Sequence, residues 1–465
     1  MELKKIIPTD ENIEFKRIVL NSKEVEKGDL FIPFGGVLDR NNYVDEAISN
    51  GASGIISDKK IISSIPNLQV KDLDKEIITF FNKYYDYPLK DINLIGITGT
   101  EGKTTVASIL SCMLSCPNIG TNGFFINSKM YSLKNTTPSL DILYNCFEKA
   151  KISNYKNIVM EVSSEAYLNN RIGKLPFQVG IFLNISKEHL DKHKTLKNYL
   201  NCKLKLIDNS RIIILNKDMK YLSKVKRYVK KHSKAYYTYG FKKKSDLNIV
   251  SYQLFLDRTE ITFLYKEKKY MIKTNLLGKF NVSNIACCIL TLLKLGLSIE
   301  EIKERLTLIK PVLGRMETLY DKDFRIVIDY AHTTNATYEV LNFYSNFYKN
   351  IITVVGAAGG RYKEKRKKIG ALVLKYSKMV IFTMDDPRTE DPNVIIKDML
   401  NDTKKRNYKI IINRKQAIKY ALNIAKKEEL VLVLGKGRDD YMAIYDKKVK
   451  YSDYDTIMNF LKLRK

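Results

Sequence analysis

From Ile92 onward the chain alternates short apolar runs rich in β-branched residues with longer segments in helical patterning. That alternation predicts parallel sheets with crossover helices, an α/β fold. The runs INLIGITG, NIVMEVSS, VGIFLNIS and RIIILN form one block; FRIVIDYAH, NIITVVGA, MVIFTMDDP, YKIIIN and ELVLVLGKG form another. In nearly all of them the polar or glycine-rich residues follow the apolar run directly. Open parallel sheets bind ligands beyond the carboxyl ends of their strands, so both blocks are expected to carry active-site loops there.

Before Ile92 lies a smaller unit, with strands in GDLFIPFGG and GASGIIS, a helix including Val44 to Ser49, and YYDYPLKD as the linker out. Between the two blocks, GKFNVSNIACCILTLLKLGLSIEEIKERL reads as a helical pair, and KPVLGRMET, punctuated by Pro311 and Gly314, as a junction. With 465 residues, 45% of them hydrophobic, a chain of roughly three domains is expected.

Charge changes this picture little. The formal net charge of +29 favours anionic partners, but lysines scattered as in KSKMV and KKEELV read as solvated helix faces. A nucleic-acid-binding protein is disfavoured because the sequence predicts no clustered basic helix, RNP-like aromatic motif or zinc finger. The six cysteines form no CxxC pair, which suits buried thiols in a reducing cytosol. The N-terminal residues lack an apolar signal region and no run of 18 apolar residues occurs, so a cytoplasmic protein without membrane insertion is expected.

The chemistry concentrates in GITGTEGKTTVASIL, Gly96 to Leu110: a strand, a glycine-rich turn, then Lys-Thr-Thr opening a helix. Backbone N–H groups of such a turn cradle phosphate oxygens, Lys103 would reach the β- and γ-phosphates, and the Thr104 hydroxyl would bind Mg²⁺. The spacing departs from strict GxxxxGK[ST], since Ile97 stands six residues before Lys103. Glu161, ending an apolar strand in MEVSSEAYLNNR, is either an Mg²⁺ ligand or an N-cap or surface acid. In NISKEHLDKH, which begins at Asn184, His189 and His193 lack nearby thiols or an HExxH arrangement; a structural or substrate-contacting role fits them better than zinc, with His189 near a phosphate-bound Mg²⁺.

Taken in order, these motifs resemble the Mur ligases, and within them the MurE type, over essentially the whole chain. The resemblance rests on GITGTEGKTT, the NTTP of Asn135 to Pro138, EVSS, NISKEHLDKH, YLNCKLKLI, GKFNVSN, GRME and DYAH, with NSKEVEKGDLF, DDPRTEDP and GKGRDDY as marks of the MurE type. It implies three domains: a UDP-muramoyl-binding module at 1–88, a central ATP-binding P-loop domain at 89–314 and a Rossmann-like amino-acid-binding domain at 315–465. The implied activity is ATP-dependent addition of an amino acid to UDP-MurNAc-L-Ala-D-Glu by a monomer, with ATP and Mg²⁺.

Residue by residue, the resemblance makes Gly99, Thr100, Glu101, Gly102, Lys103, Thr104 and Thr105 the phosphate turn, with Thr104, Glu161, His189 and Lys203 around the metal. Lys103, Lys203 and His189 are the expected catalytic groups, and Lys203 is expected to be carbamylated. Asn281, Asn284, Arg315, Asp329 and His332 would surround the nucleotide, Asp329 holding the ribose. Ser22, Thr136, Thr137, Ser163, Asn169 and Arg171 would contact the UDP-muramoyl substrate. The incoming amino acid would meet Arg361, Asp385, Asp386, Arg388, Gly435 and Asp439. Arg388 in DDPR suits meso-diaminopimelate, whereas GKGRD stands where diaminopimelate enzymes read GKGHE. Glu101 stands where Asn is common. The alternatives are a related ligase with another amino acid or acceptor, such as L-lysine, or a folylpolyglutamate synthase; the NSKEVEKGDLF unit argues against the last.

Overall fold

The computed structural model describes residues 1–36, 40–186, 188, 190–309, 312–401, 403–445 and 447–463. They divide into two compact units: Met1–Lys187, Lys192–Asn248 and Ile285–Ile302 in the first, and Glu188–Asp191, Ile249–Asn284 and Lys303–Lys465 in the second.

In the first unit, Ile18–Val19, Leu30–Phe31, Gly54–Ser57 and Asn67–Gln69 pair in chain order as a small parallel sheet. The helix Leu73–Tyr84 follows, capped by the Asp72 side chain, which accepts from Lys75 N. It buries Leu73, Ile77, Phe80 and Phe81, and the Phe81 ring packs 5.0 Å from that of Tyr144. The N-terminal sheet thus shares one core with the larger sheet beside it.

That larger sheet is built around Asn93–Thr98, which is flanked by Asn157–Glu161 and Phe177–Phe182 in parallel. Ser210–Asn216 and Ala235–Gly240 extend one side, and Asn118–Gly120 the other. The central strand is buried from Leu94 to Thr98, so its apolar residues run on without alternation, as expected for a parallel strand covered on both faces.

The second unit carries a sheet in the order Glu317–Asp321, Arg325–Asp329, Leu430–Leu434, Ile351–Val355, Met379–Phe382 and Tyr408–Ile410, parallel except for its first pair. A hairpin of Thr259–Tyr265 and Lys268–Thr274, not predicted from the sequence, belongs to the same unit. Leu254, Leu256, Leu277 and Phe280 pack on the C-terminal core, and Arg325 Nη1 donates to Leu256 O at 3.4 Å. Residues 249–284 fall within this second compact unit.

One expectation is corrected here. A clustered basic helix does exist, Leu222–Lys231: Lys224, Lys226, Arg227, Lys230 and Lys231 surround a buried stripe of Val225 and Val229. No helix among the described residues is long and apolar enough to cross a membrane.

Candidate active site

The strand Asn93–Thr98 runs into the turn Gly99–Gly102, and the helix Lys103–Leu114 begins behind it, capped by Gly102 at φ 84°. Lys103 Nζ donates to the carbonyls of Gly99 (2.9 Å) and Thr100 (3.2 Å), which lays the ammonium over the turn. Asn184 braces the turn from the next strand end: its Oδ1 accepts from the amides of Thr100 (3.0 Å) and Glu101 (2.9 Å), and its Nδ2 donates to Glu101 O (3.1 Å). Those two amides are thereby taken up, so a phosphate would be met by the helix's first turn, at Lys103, Thr104 and Thr105. Thr100 Oγ1 also lies 3.0 Å from the Tyr199 hydroxyl. Asn184 entered the sequence analysis only as the start of a motif, and an Asn after a strand signals a turn more often than a brace.

Glu161 is 1% exposed and faces the same helix. Its carboxylate accepts from Thr104 Oγ1 (3.1 Å), Thr121 N (2.9 Å) and Thr121 Oγ1 (3.2 Å). This excludes a plain surface acid and joins Glu161 to Thr104, the two groups expected around Mg²⁺. Among the described residues no three His, Cys, Asp or Glu gather as a metal-binding cluster. One carboxylate and one hydroxyl beside a phosphate cradle still suit Mg²⁺, which takes few protein ligands and completes its shell with phosphate and water.

Lys203 lies on the helix Leu196–Asp208 and is 1% exposed. Its Nζ donates to Gly99 O (2.8 Å) and Thr98 Oγ1 (3.4 Å) and sits 4.7 Å from the centre of the Tyr199 ring. Burial, and then the charge of Lys103, pull this amine well below the ordinary lysine range. His189 lies outside the described residues. His193 is buried, with Nε2 2.9 Å from Ser164 Oγ and its ring edge-on to Tyr199, a structural placement.

Beside this turn the first unit gathers a second group. Thr137 Oγ1 accepts from Ser163 N (2.9 Å) and donates to Glu161 O (2.9 Å), and Arg171 Nη1 donates to Thr137 O (3.4 Å). Thr136 Oγ1 lies 3.2 Å from Thr121 Oγ1. Burial lowers the Arg171 pKa against the opposing charge of Glu165. Asn169 accepts from Gly36 N through its backbone carbonyl (2.7 Å). Ser22 donates to Glu46 Oε2 (2.5 Å), on the turn whose Glu24 pairs with Lys134.

In the second unit, Asp329 accepts from the amides of Met316 and Ala331, each at 2.6 Å, one per carboxylate oxygen, so it orders both the GRME and DYAH turns. Burial raises its pKa against the opposing charge of Arg315 and these amides. Arg315 lies over the Tyr330 ring, and its Nε is buried without a hydrogen-bond partner among the described residues. Asn281 Nδ2 donates to Leu277 O (2.7 Å), and Asn284 Nδ2 to Asn281 Oδ1 (3.0 Å). His332 Nδ1 lies 2.8 Å from Tyr330 O.

The remaining expected residues of that unit form a charged nest. Lys436, 1% exposed, donates to Asp386 Oδ1 (2.8 Å) and lies 3.0 Å from Asp439 Oδ2, while Asp439 Oδ1 accepts from Tyr330 OH (3.0 Å). Burial raises the Asp439 pKa and pushes Asp385 up to about 6, against the pull of Arg414 and Lys436. A side chain at Gly435 would place its Cβ 2.0 Å from Asp385 Oδ2, so only glycine fits there. Asp386 and Arg388 both hold left-handed backbones, φ 42° and 54°, fixed by Gly359 N to Asp386 O, Arg388 N to Ala443 O and Tyr445 N to Arg388 O. Arg388 Nε is buried without a hydrogen-bond partner among the described residues. Arg361 stands on the turn that Arg366 ties down through Ala358 O (3.1 Å) and Glu390. Lys436, which pairs with both Asp386 and Asp439, was not singled out in the sequence although it stands between Gly435 and Asp439, which were.

Comparison with known proteins gives the family. Residues 97–292 match the Mur ligase middle domain, and residues 314–437 match the Mur ligase, glutamate ligase domain. The chain is 35% identical to UDP-N-acetylmuramoyl-L-alanyl-D-glutamate–2,6-diaminopimelate ligase 1 of Clostridium acetobutylicum, covering 99% of each. It is 34% identical to the corresponding ligase of Aquifex aeolicus, covering 96% of this chain and 93% of that one. A solved structure of a UDP-N-acetylmuramoyl-L-alanyl-D-glutamate–2,6-diaminopimelate ligase superposes with a TM-score of 0.70 at 23% identity, over 100% of this chain and 99% of that one. Phosphate turn, buried acid and full-length likeness together make this chain a member of the Mur ligase family, ATP-dependent ligases that form amide bonds.

Proposed function

We propose that this ligase adds meso-diaminopimelate to the D-glutamyl residue of UDP-MurNAc-L-Ala-D-Glu in peptidoglycan precursor synthesis. The observation that carries the reaction type is the phosphate turn Gly99–Thr105 with Glu161 hydrogen-bonded to Thr104. The substrate assignment is supported by full-length relatives that bear that name.

A carboxylate is a poor electrophile. The D-Glu side-chain carboxylate therefore attacks the γ-phosphorus of ATP, the bond to the β–γ bridging oxygen breaks, and ADP leaves behind an acyl phosphate. The amine of the incoming amino acid then adds to the acyl carbon, loses a proton and expels inorganic phosphate. Lys103 and the first-turn amides of its helix stabilise phosphoryl charge, and Arg171, Thr137 and Ser163 orient the muramoyl peptide. Mg²⁺, held by Thr104 and Glu161, would supply further charge neutralisation. Labelled oxygen from the D-Glu carboxylate should appear in the released phosphate; its absence would exclude the acyl phosphate.

Two finer assignments follow. Lys203 reacts as the neutral amine with CO₂, forming an N–C bond and releasing a proton, so that an anionic carbamate replaces a buried amine beside the phosphate turn. Its burial and its lowered pKa support this, and a ¹³CO₂-derived carbamate resonance lost in Lys203→Ala tests it. Arg388 grips a carboxylate of the incoming amino acid, supported by its buried, unbonded Nε. If so, Arg388→Lys should raise KM for diaminopimelate while leaving KM for ATP unchanged.

A further inference from the structure

Between residues 217 and 246 the sequence holds eleven Lys and Arg against two Asp, an excess of nine positive charges in 30 residues. Both acids are already engaged: Asp218 accepts from Phe241 N (2.6 Å) and Lys242 N (3.1 Å), and Asp246 accepts from Thr238 N (2.7 Å) and Oγ1 (2.8 Å). Asp208, near the C-terminal end of the basic helix, accepts from Tyr228 OH (2.9 Å).

Several of these cations lie close together, Lys217 near both Lys226 and Lys244. Lys217 Nζ donates to the carbonyls of Lys243 (2.7 Å) and Lys244 (2.6 Å), which fastens the Lys242–Lys244 loop beside the helix Leu222–Lys231. Desolvation, and then the repulsion of Lys226, pull Lys217 below the ordinary lysine range despite Asp246 and Asp218. The helix is about 15 Å long, so most of these charges lie within about two Debye lengths of one another at physiological salt. Gathering them costs repulsion that the fold does not repay, since Lys224, Arg227, Lys230 and Lys231 are exposed.

We propose that the outward face of the helix Leu222–Lys231, with the Lys242–Lys244 loop, is an electrostatic docking surface for an anionic lipid bilayer. Val225 and Val229 are buried in the body of the protein, so the helix can adsorb but not insert. Single-stranded nucleic acid fits less well, because it needs open aromatic platforms, whereas Lys224 lies 5.8 Å over Tyr221 and Lys226 5.5 Å over Tyr236. The proposal does not depend on which amino acid the ligase adds.

The test is co-sedimentation of the full chain with phosphatidylcholine vesicles containing phosphatidylglycerol, against pure phosphatidylcholine vesicles. Binding is expected only with the anionic lipid, and should be lost as salt rises from about 50 to about 300 mM. Replacing Lys224, Arg227, Lys230 and Lys231 together with Gln should weaken partition about 600-fold, from about fivefold for each of the four cations. Ligase activity of the same variant in vesicle-free solution should be unchanged, which separates lost docking from lost folding or a mistaken enzymatic assignment. Equal binding to neutral vesicles, salt-insensitive binding, an unaffected variant, or preference for a single-stranded RNA over anionic vesicles would each overturn the proposal.

Discussion

Replacing Gly120 with alanine should disable ATP turnover, although the residue has no side chain and touches no substrate. An added Cβ would lie 2.3 Å from Glu161 Oε1 and 2.9 Å from its Cγ and Cδ. Ordinary carbon–oxygen contact is about 3.3 Å, so the carboxylate must recoil by about 1 Å. The backbone cannot yield instead, because the strand Asn118–Gly120 is paired on one side to Asn157–Glu161 and on the other to Gly123–Ile126. A recoil of that size stretches the 2.9 Å bond from Thr121 N past hydrogen-bonding range and moves the acid off Thr104. Losing one or two charge-assisted hydrogen bonds costs about 1.5–3 kcal/mol each. A loss near 2.7 kcal/mol in the reacting complex is roughly a hundredfold in rate. Steady-state phosphate release, with thermal melting as a control for folding, measures it. A folded Gly120→Ala enzyme with full kcat would refute the placement of Glu161 at the reacting phosphates.

Three further perturbations are worth making. Arg414 and Asp453 are fully buried and paired at 2.8 and 2.7 Å; Arg414→Met should cost about 3–5 kcal/mol in denaturant unfolding, and Asp453→Leu added to it should recover much of the loss. Lys436→Met removes the cation joining Asp386 to Asp439 and should raise KM for the amino acid about tenfold or more with KM for ATP unchanged, as lost charge-assisted hydrogen bonds require. Asp385 has its pKa raised from 3.8 to about 6, so its ionisation weakens the fold as pH rises from about 4 to above 6, by about 3 kcal/mol. Asp385→Asn lacks that penalty; its stability relative to the parent should improve between pH 4 and 8, and a constant difference would exclude a raised pKa.

Much of the fold was legible because parallel strands covered on both faces must be apolar throughout, and the runs INLIGITG and ELVLVLGKG show it. The phosphate turn was legible because the glycines and the Lys-Thr-Thr that a cradle needs are adjacent in the chain. The hairpin at 259–274 was not, since its second strand, KKYMIKT, is mostly exposed and buries only Ile272 and Thr274. Nor was the burial of Lys203: a lysine on an amphipathic helix is ordinarily solvated, and only the fold brings Gly99 O to within 2.8 Å of it. The same limit hid Asn184 and Lys436, whose roles depend on partners across 83 residues for Asn184–Glu101 and 50 for Lys436–Asp386. The basic helix was overlooked for the opposite reason, because lysines are so common along the chain that a local excess did not stand out.

The most direct test of the central claim is ATP-dependent phosphate release by the purified protein with UDP-MurNAc-L-Ala-D-Glu, offering meso-diaminopimelate, L-lysine and other diamino acids one at a time. Release with diaminopimelate, and much less with L-lysine, is the predicted result. Preference for L-lysine would contradict the role given to Arg388, and no release with any of them would contradict the assignment of the acceptor itself.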